Sequence, residues 1–133
     1  MKINRNFTTA GKCAYDDIKF TTTSSEIKNP DDVLIKVFSS GVNFPDGLLV
    51  QGKYQLKPSL PFTPGMEVSG EVFKIGSEVT EFKIGDEVIG MPGNGAFAEQ
   101  ILISKNQLFK KPTNMDFSTA ACFTLTYGTS HYA

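Results

Sequence analysis

Residues 60–90, LPFTPGMEVSGEVFKIGSEVTEFKIGDEVIG, constrain the fold more than any other stretch. Glycine recurs every few residues, and each glycine inside a helix costs about 1 kcal/mol, so a long helix is excluded here. Between the glycines the run alternates, with Val68, Gly70 and Val72 set against Ser69, Glu71 and Phe73. That is the period of a strand. A near-duplication follows, Lys74-Ile75-Gly76-Ser77-Glu78-Val79 and then Lys83-Ile84-Gly85-Asp86-Glu87-Val88. It reads as two passages from turn to strand with the same local chemistry.

The flanking chain extends this pattern. Residues 1–11 read as a mobile lead-in. Lys12 to Phe20 reads as an edge strand, with a turn or bulge at Asp16-Asp17. Thr21 to Asp32 is a polar connection that ends in the turn Asn29-Pro30-Asp31-Asp32. The clearest strand starts at Asp32: Val33, Ile35 and Val37 face one way, and Leu34, Lys36 and Phe38 the other. Pro45 opens a short helix to Val50, and Gly52 stops it. Pro58, Pro61 and Pro64 make residues 57–65 an extended loop rather than a central strand. Strands return at Glu67 to Ile75, Glu87 to Met91, Ala96 to Ile103 and Gln107 to Lys110. From Asn114 the period becomes helical, with Asp116 or Ser118 as N-cap and Gly128 as an interruption before a second piece near Thr129. Many short strands with glycine and proline turns, then helix, predict a mainly β domain over residues 1–113, a barrel or sandwich, and a helical segment over 114–133.

Composition excludes several classes. The formal net charge is −1, from 13 basic and 14 acidic residues, which gives no global field for nucleic acid or an anionic membrane. No apolar run approaches the roughly 20 residues needed to span a bilayer, and the N-terminus lacks a signal-like apolar region. A cytoplasmic protein is expected. Cys13 and Cys122 then read as two buried free thiols. With one histidine, His131, the chain offers no recognisable cluster for a zinc site, which needs about four ligands.

The polar residues offer few constellations. Gly93-x-Gly95-x-x-Ala98 matches a loose dinucleotide fingerprint, but strand-like residues follow it where a helix N-terminus is required. Glu67, between Gly65 and Gly70, reads as a turn carboxylate satisfying backbone N–H groups, with a catalytic acid or base as the alternative. Asn43, after Gly41 and before Pro45, reads as a helix cap or as a ligand contact that can both donate and accept. Tyr54 reads as an exposed loop tyrosine suited to a ligand. The hydroxyls of Thr124, Thr126 and Thr129 read as backbone-bonded within a kink at Gly128.

Taken in order, GVNFPD (41–46), QGKY (51–54), LPFTPGMEVSGEV (60–72), FKIGDEVIG (82–90), GAFAEQ (95–100) and AACFTLTYGTSHYA (120–133) resemble the N-terminal part of a zinc-independent quinone oxidoreductase, the zeta-crystallin-like branch of the medium-chain dehydrogenase/reductase superfamily. The resemblance covers residues 32–133. It implies a GroES-like, partly open β-barrel and a following nucleotide-binding Rossmann domain that this chain lacks. Zinc-dependent cousins carry cysteine and histidine where this sequence resembles them with Asn43 and Met66, and their structural zinc lobe is replaced by a direct run from Met91 into GAFAEQ. The resemblance therefore implies hydride transfer from NADPH, without zinc, to a quinone or an α,β-unsaturated carbonyl. It places Asn43, Thr126 and Thr129 at the nicotinamide end, Tyr54 and Asn43 at the substrate, and Glu67 as a structural carboxylate near the cleft. It further implies a homo-oligomer in full-length form and little activity in this segment alone. The choice of NADPH over NADH comes from the resemblance alone. The alternatives are a stand-alone GroES-like binding module and an accessory subunit.

Overall fold

The computed structural model describes the backbone of residues 3–8 and the whole of residues 18–133. Its elements are β1 (Ile3–Thr8), β2 (Lys19–Ser24), β3 (Asp32–Gly41), α1 (Phe44–Val50), β4 (Glu67–Ile75), β5 (Glu87–Gly90), β6 (Gln100–Ser104), β7 (Leu108–Lys110) and α2 (Phe117–Tyr132). Five strands form one sheet in the order β6-β3-β4-β5-β7, and β1 pairs with β2 in a separate ribbon. Every pairing among the described residues is antiparallel. The protein is mainly β, an open antiparallel sheet with two helices.

β3 is an interior strand, bonded on one edge to β4 and on the other to β6. Ile35 lies opposite Val72 on β4 and Ile101 on β6. The face predicted to be core is core: Val33 and Ile35 pack with Val68, Val72, Val88 and Ile103, and Val37 lies against them. Full burial of one such side chain is worth about 1.5–3 kcal/mol. Leu34, on the opposite face, is also buried. Asp32 pins the turn before β3, since its Oδ2 accepts the backbone N–H groups of Asn29 at 2.8 Å and Lys28 at 3.0 Å. Burial opposes ionisation of Asp32, but these bonds outweigh it and hold its carboxyl below the usual range. Where β4 crosses β3, a side chain at Gly70 would place its Cβ 2.1 Å from the carbonyl oxygen of Lys36. Only glycine permits that approach.

Several sequence expectations are corrected. Ile3–Thr8 is a strand rather than a mobile lead-in, paired with Lys19–Ser24 from Ile3 opposite Ser24 to Thr8 opposite Lys19. The polar connection therefore begins only after Ser24. Threonine suits a strand despite its polarity, even one as exposed as β2, which explains the error. The expected feature at Asp16-Asp17 lies outside the described residues, as does Cys13. The strand read over residues 96–103 begins only at Gln100. The duplicated hexapeptides differ in use: the first ends β4 at Ile75, while the second turns at Gly85, φ +91°, into β5. Gly128 does not interrupt α2, which runs unbroken to Tyr132. Cys122 is exposed on that helix rather than buried.

α2 packs across the sheet through small residues. Its N-cap Asp116 accepts from Thr119 N–H at 2.8 Å and from the Thr119 hydroxyl at 2.8 Å. Ala120 and Ala121 are its buried residues, and their small size lets the helix approach closely. The Ser69 hydroxyl donates to the Phe117 carbonyl, and the Phe117 ring lies 4.7 Å from that of Phe38. The buried Lys111 ammonium pairs with Glu87 at 2.9 Å and donates to the carbonyl of Met115, tying the chain before α2 to the sheet.

Candidate functional site

The polar centre of the molecule forms where β3 ends and β4 begins. Gly41 lies opposite Glu67 in the ladder. Two residues on, Asn43 is the N-cap of α1, and Asp46 in the first turn accepts the Asn43 backbone N–H at 2.8 Å. An acid three residues after an N-cap closes back on the cap in this way. The side-chain nitrogen of Asn43 is directed elsewhere and donates to Glu67 Oε1 at 2.9 Å.

Glu67 is 1% exposed. Its Oε2 accepts the backbone N–H of Leu125, in the middle of α2, at 3.0 Å. The reading of Glu67 as a turn carboxylate satisfying backbone N–H groups holds in part: it accepts one backbone N–H, from a residue 58 positions away, and it opens β4 rather than sitting in a turn. Space is made for it by Gly41: a Cβ there would stand 2.4 Å from Glu67 Oε1 and 2.9 Å from the Ala121 carbonyl oxygen. Asp46 is buried beside this pair, and its Oδ1 has no partner within hydrogen-bond geometry. Burial pushes its carboxyl above the usual range; the N–H groups of Asn43 and Gly65 oppose the shift, and the nearby Glu67 adds to it.

Asn43 and Asp46 line a hollow of about 450 Å³ whose other walls include Val42, Phe44, Val50 and Phe97. Val42 and Phe44 are 81% and 82% exposed, so the hollow has an apolar lip. A wider trough of about 910 Å³ adjoins it, sharing Ile18, Val42 and Phe97 and running past Val37 and Phe38. An apolar cavity with a few fixed polar groups is the ordinary form of a small-molecule site.

The other sequence candidates lie apart. The Tyr54 ring is half-buried against Leu49, Phe62 and Met66 rather than exposed, and it does not line this hollow. Thr129 lines a separate shallow hollow of about 550 Å³ with Met91 and Leu125. Thr126 is exposed, and its carbonyl accepts the Ser130 hydroxyl at 2.9 Å. The Glu67 link ties the Asn43 end to this part of α2, because Leu125 precedes Thr126. Sequence reasoning missed Asp46, although the spacing Asn43-x-x-Asp46 is a capping signal. It also missed Val42 and Phe97. The Gly93–Ala98 run leads into β6 and not into a helix, so it is no dinucleotide fingerprint. Among the described residues no three of His, Cys, Asp or Glu gather as metal ligands, and no helix is long and apolar enough to cross a membrane.

This fold and sequence have relatives. Residues 29–113 match the alcohol dehydrogenase GroES-like domain. The chain is 42% identical over 122 residues to the quinone oxidoreductase-like protein 2 homolog of Nematostella vectensis, covering 91% of this chain and 33% of that protein. The crystal structure of the human synaptic vesicle membrane protein VAT-1 homolog-like protein superposes with a TM-score of 0.92 at 28% identity, covering 98% of this chain and 42% of the other. The quinone oxidoreductase of Coxiella burnetii superposes with a TM-score of 0.84 at 26% identity, covering 90% and 40%. The chain spans about a third of the length of the curated relative described here. A single GroES-like sheet, matched in sequence and in structure, places this chain in the alcohol dehydrogenase GroES-like domain family of the medium-chain dehydrogenase/reductase superfamily, among relatives named as quinone oxidoreductases.

Proposed function

We propose that this chain is the substrate-side domain of an NADPH-dependent oxidoreductase that reduces quinones or α,β-unsaturated carbonyls without zinc. One observation carries the reading: the two positions that resemble the zinc ligands of alcohol-oxidising cousins hold Asn43 and Met66, and neither is disposed as a ligand. The Asn43 amide nitrogen is committed to Glu67. The Met66 thioether is 6% exposed within an apolar cluster with Leu49 and Phe62. A zinc centre that polarises an alcohol needs thiolate, imidazole or carboxylate donors, so the residues present do not fit it.

Asn43, Thr126 and Thr129 are assigned to the nicotinamide end of a dinucleotide, with Asn43 and Thr129 in separate hollows of this chain. The Asn43 amide lies in a hollow with apolar walls, and the hydroxyls of Thr126 and Thr129 lie on the exposed side of α2. NADPH, when bound, supplies the hydride. The role of this chain is to position the reacting partners and keep water from the hollow. Val42, Phe44 and Phe97 offer apolar surface to the ring of an acceptor; the assignment of Tyr54 to the acceptor rests on the family resemblance, since its ring packs outside this hollow against Leu49, Phe62 and Met66.

The test uses protein expressed from its whole reading frame. NADPH oxidation is followed with a panel of quinones and enones. Asn43→Ala is expected to raise the KM for NADPH, and Tyr54→Phe to lower acceptor kcat/KM several-fold with NADPH affinity unchanged. No oxidation with any acceptor would contradict the reading. An unchanged acceptor profile in Tyr54→Phe would remove that residue from the site.

A further inference from the structure

Glu67 does more than fill space. Both of its oxygens accept N–H donors, one from the Asn43 side chain and one from Leu125. A carboxylate oxygen has no hydrogen to give, so only the nitrogen end of the Asn43 amide can face it. The amide is planar, so its oxygen is turned away from Glu67 and toward the first turn of α1, where it faces the Asp46 backbone N–H in a capping arrangement without closing a hydrogen bond to it. Asn43 lines the 450 Å³ hollow, where the other polar side chain is Asp46, a second acceptor, and the remaining side chains are apolar.

We propose that Glu67 is a positioning residue that sets the polarity of this hollow: by holding the Asn43 nitrogen it presents the Asn43 oxygen to the ligand. The seat at Asn43 therefore takes a hydrogen-bond donor, a ligand hydroxyl or amide N–H, and disfavours a bare carbonyl oxygen. Through Leu125, the same carboxylate fixes α2 against the seat. This inference rests on Asn43 being a ligand contact, as in the reading above. Under that reading, the donor held here is a hydroxyl or carboxamide N–H of the cofactor, or the hydroxyl of a reduced product, while the carbonyl of an oxidised acceptor lies elsewhere.

Glu67→Gln tests it. The Leu125 N–H still requires an oxygen, so the oxygen of the substituted side chain stays there and its new amide nitrogen meets Asn43. The Asn43 amide then turns over and presents N–H to the hollow. The probes are tetramethyl-1,4-benzoquinone and its hydroquinone, which share a shape and differ in their donors. Binding is measured anaerobically by the amide shifts of Asn43, Asp46 and Gly47. The wild-type chain is expected to prefer the hydroquinone, and the preference should fall about tenfold in Glu67→Gln, the effect of one mismatched hydrogen bond. An unchanged preference overturns the proposal. Should Glu67→Gln not fold, the wild-type chain decides. A through-hydrogen-bond NMR coupling from the Asn43 side-chain nitrogen to the Glu67 carboxyl carbon is expected, and its absence overturns the proposal. Turnover is not part of these readouts. A whole protein that does not oxidise NADPH, with the preference as expected, overturns the reductase reading alone.

Discussion

Gly41 shows how one missing side chain permits a buried charge network. Its absent Cβ is the space that Glu67 Oε1 and the Ala121 carbonyl occupy. Gly41→Ala is expected to destabilise the chain by about 1–3 kcal/mol, the usual cost of overpacking, as read from urea unfolding. A change within about 0.5 kcal/mol would mean that the carboxylate can sit elsewhere. Asp46 has the opposite sign. Its carboxyl is raised by burial, with Glu67 adding to the effect. A raised carboxyl costs stability above its folded-state pKa, and the cost disappears as pH falls toward the unfolded value. Asp46→Asn is therefore expected to raise the urea midpoint at about pH 7, and the gain should shrink as pH is lowered through the carboxylate range. Asp32 runs the usual way, since a lowered carboxyl stabilises above its unfolded value and that contribution is lost on acidification. A gain in Asp46→Asn that grew on acidification would contradict the assignment.

α2 is the element that couples the sheet to the candidate site. It is anchored by Asp116, by Ser69 on the Phe117 carbonyl and by Glu67 on Leu125. Gly128 lies inside it with nothing within 4 Å of a built Cβ. Gly128→Ala should stabilise the chain by about 0.5–1 kcal/mol in chemical denaturation, because alanine is the better helix former and nothing has to move. Destabilisation would show that the helix bends there in solution. The outer face of α2 carries a stacked pair, Phe123 and Tyr127, with ring centroids 4.7 Å apart, and both rings are exposed. Apolar faces of this kind drive association. Sedimentation of the chain is expected to show concentration-dependent self-association that Phe123→Ser with Tyr127→Ser weakens. A dilution-independent monomer would contradict that.

At the scale of the molecule, the strands were legible because their signals are local. Alternation located β3 and β4, and proline and glycine located the loops between them. Of the two N-cap candidates, Asp116 and Ser118, Asp116 is the one that starts α2. The errors came where tertiary context decides. The threonines of β2 read as loop until the pairing with β1 is seen, and Gly128 is tolerated because α2 is held at three other points. The candidate site was half legible. Asn43 and Glu67 stood out by type and neighbourhood, but their mutual bond and the Leu125 partner join positions distant in sequence. No periodicity encodes that contact. Tyr54 was misjudged as exposed because its partners Leu49, Phe62 and Met66 surround a turn that reads as polar. Hydride transfer from NADPH with no metal in the site is tested by the primary kinetic isotope effect with 4-deuterated NADPH, measured on whole protein stripped of metal by exhaustive chelation. The rate is expected to survive stripping and to fall on deuteration. Activity that vanishes on stripping and returns with zinc would contradict a metal-free site.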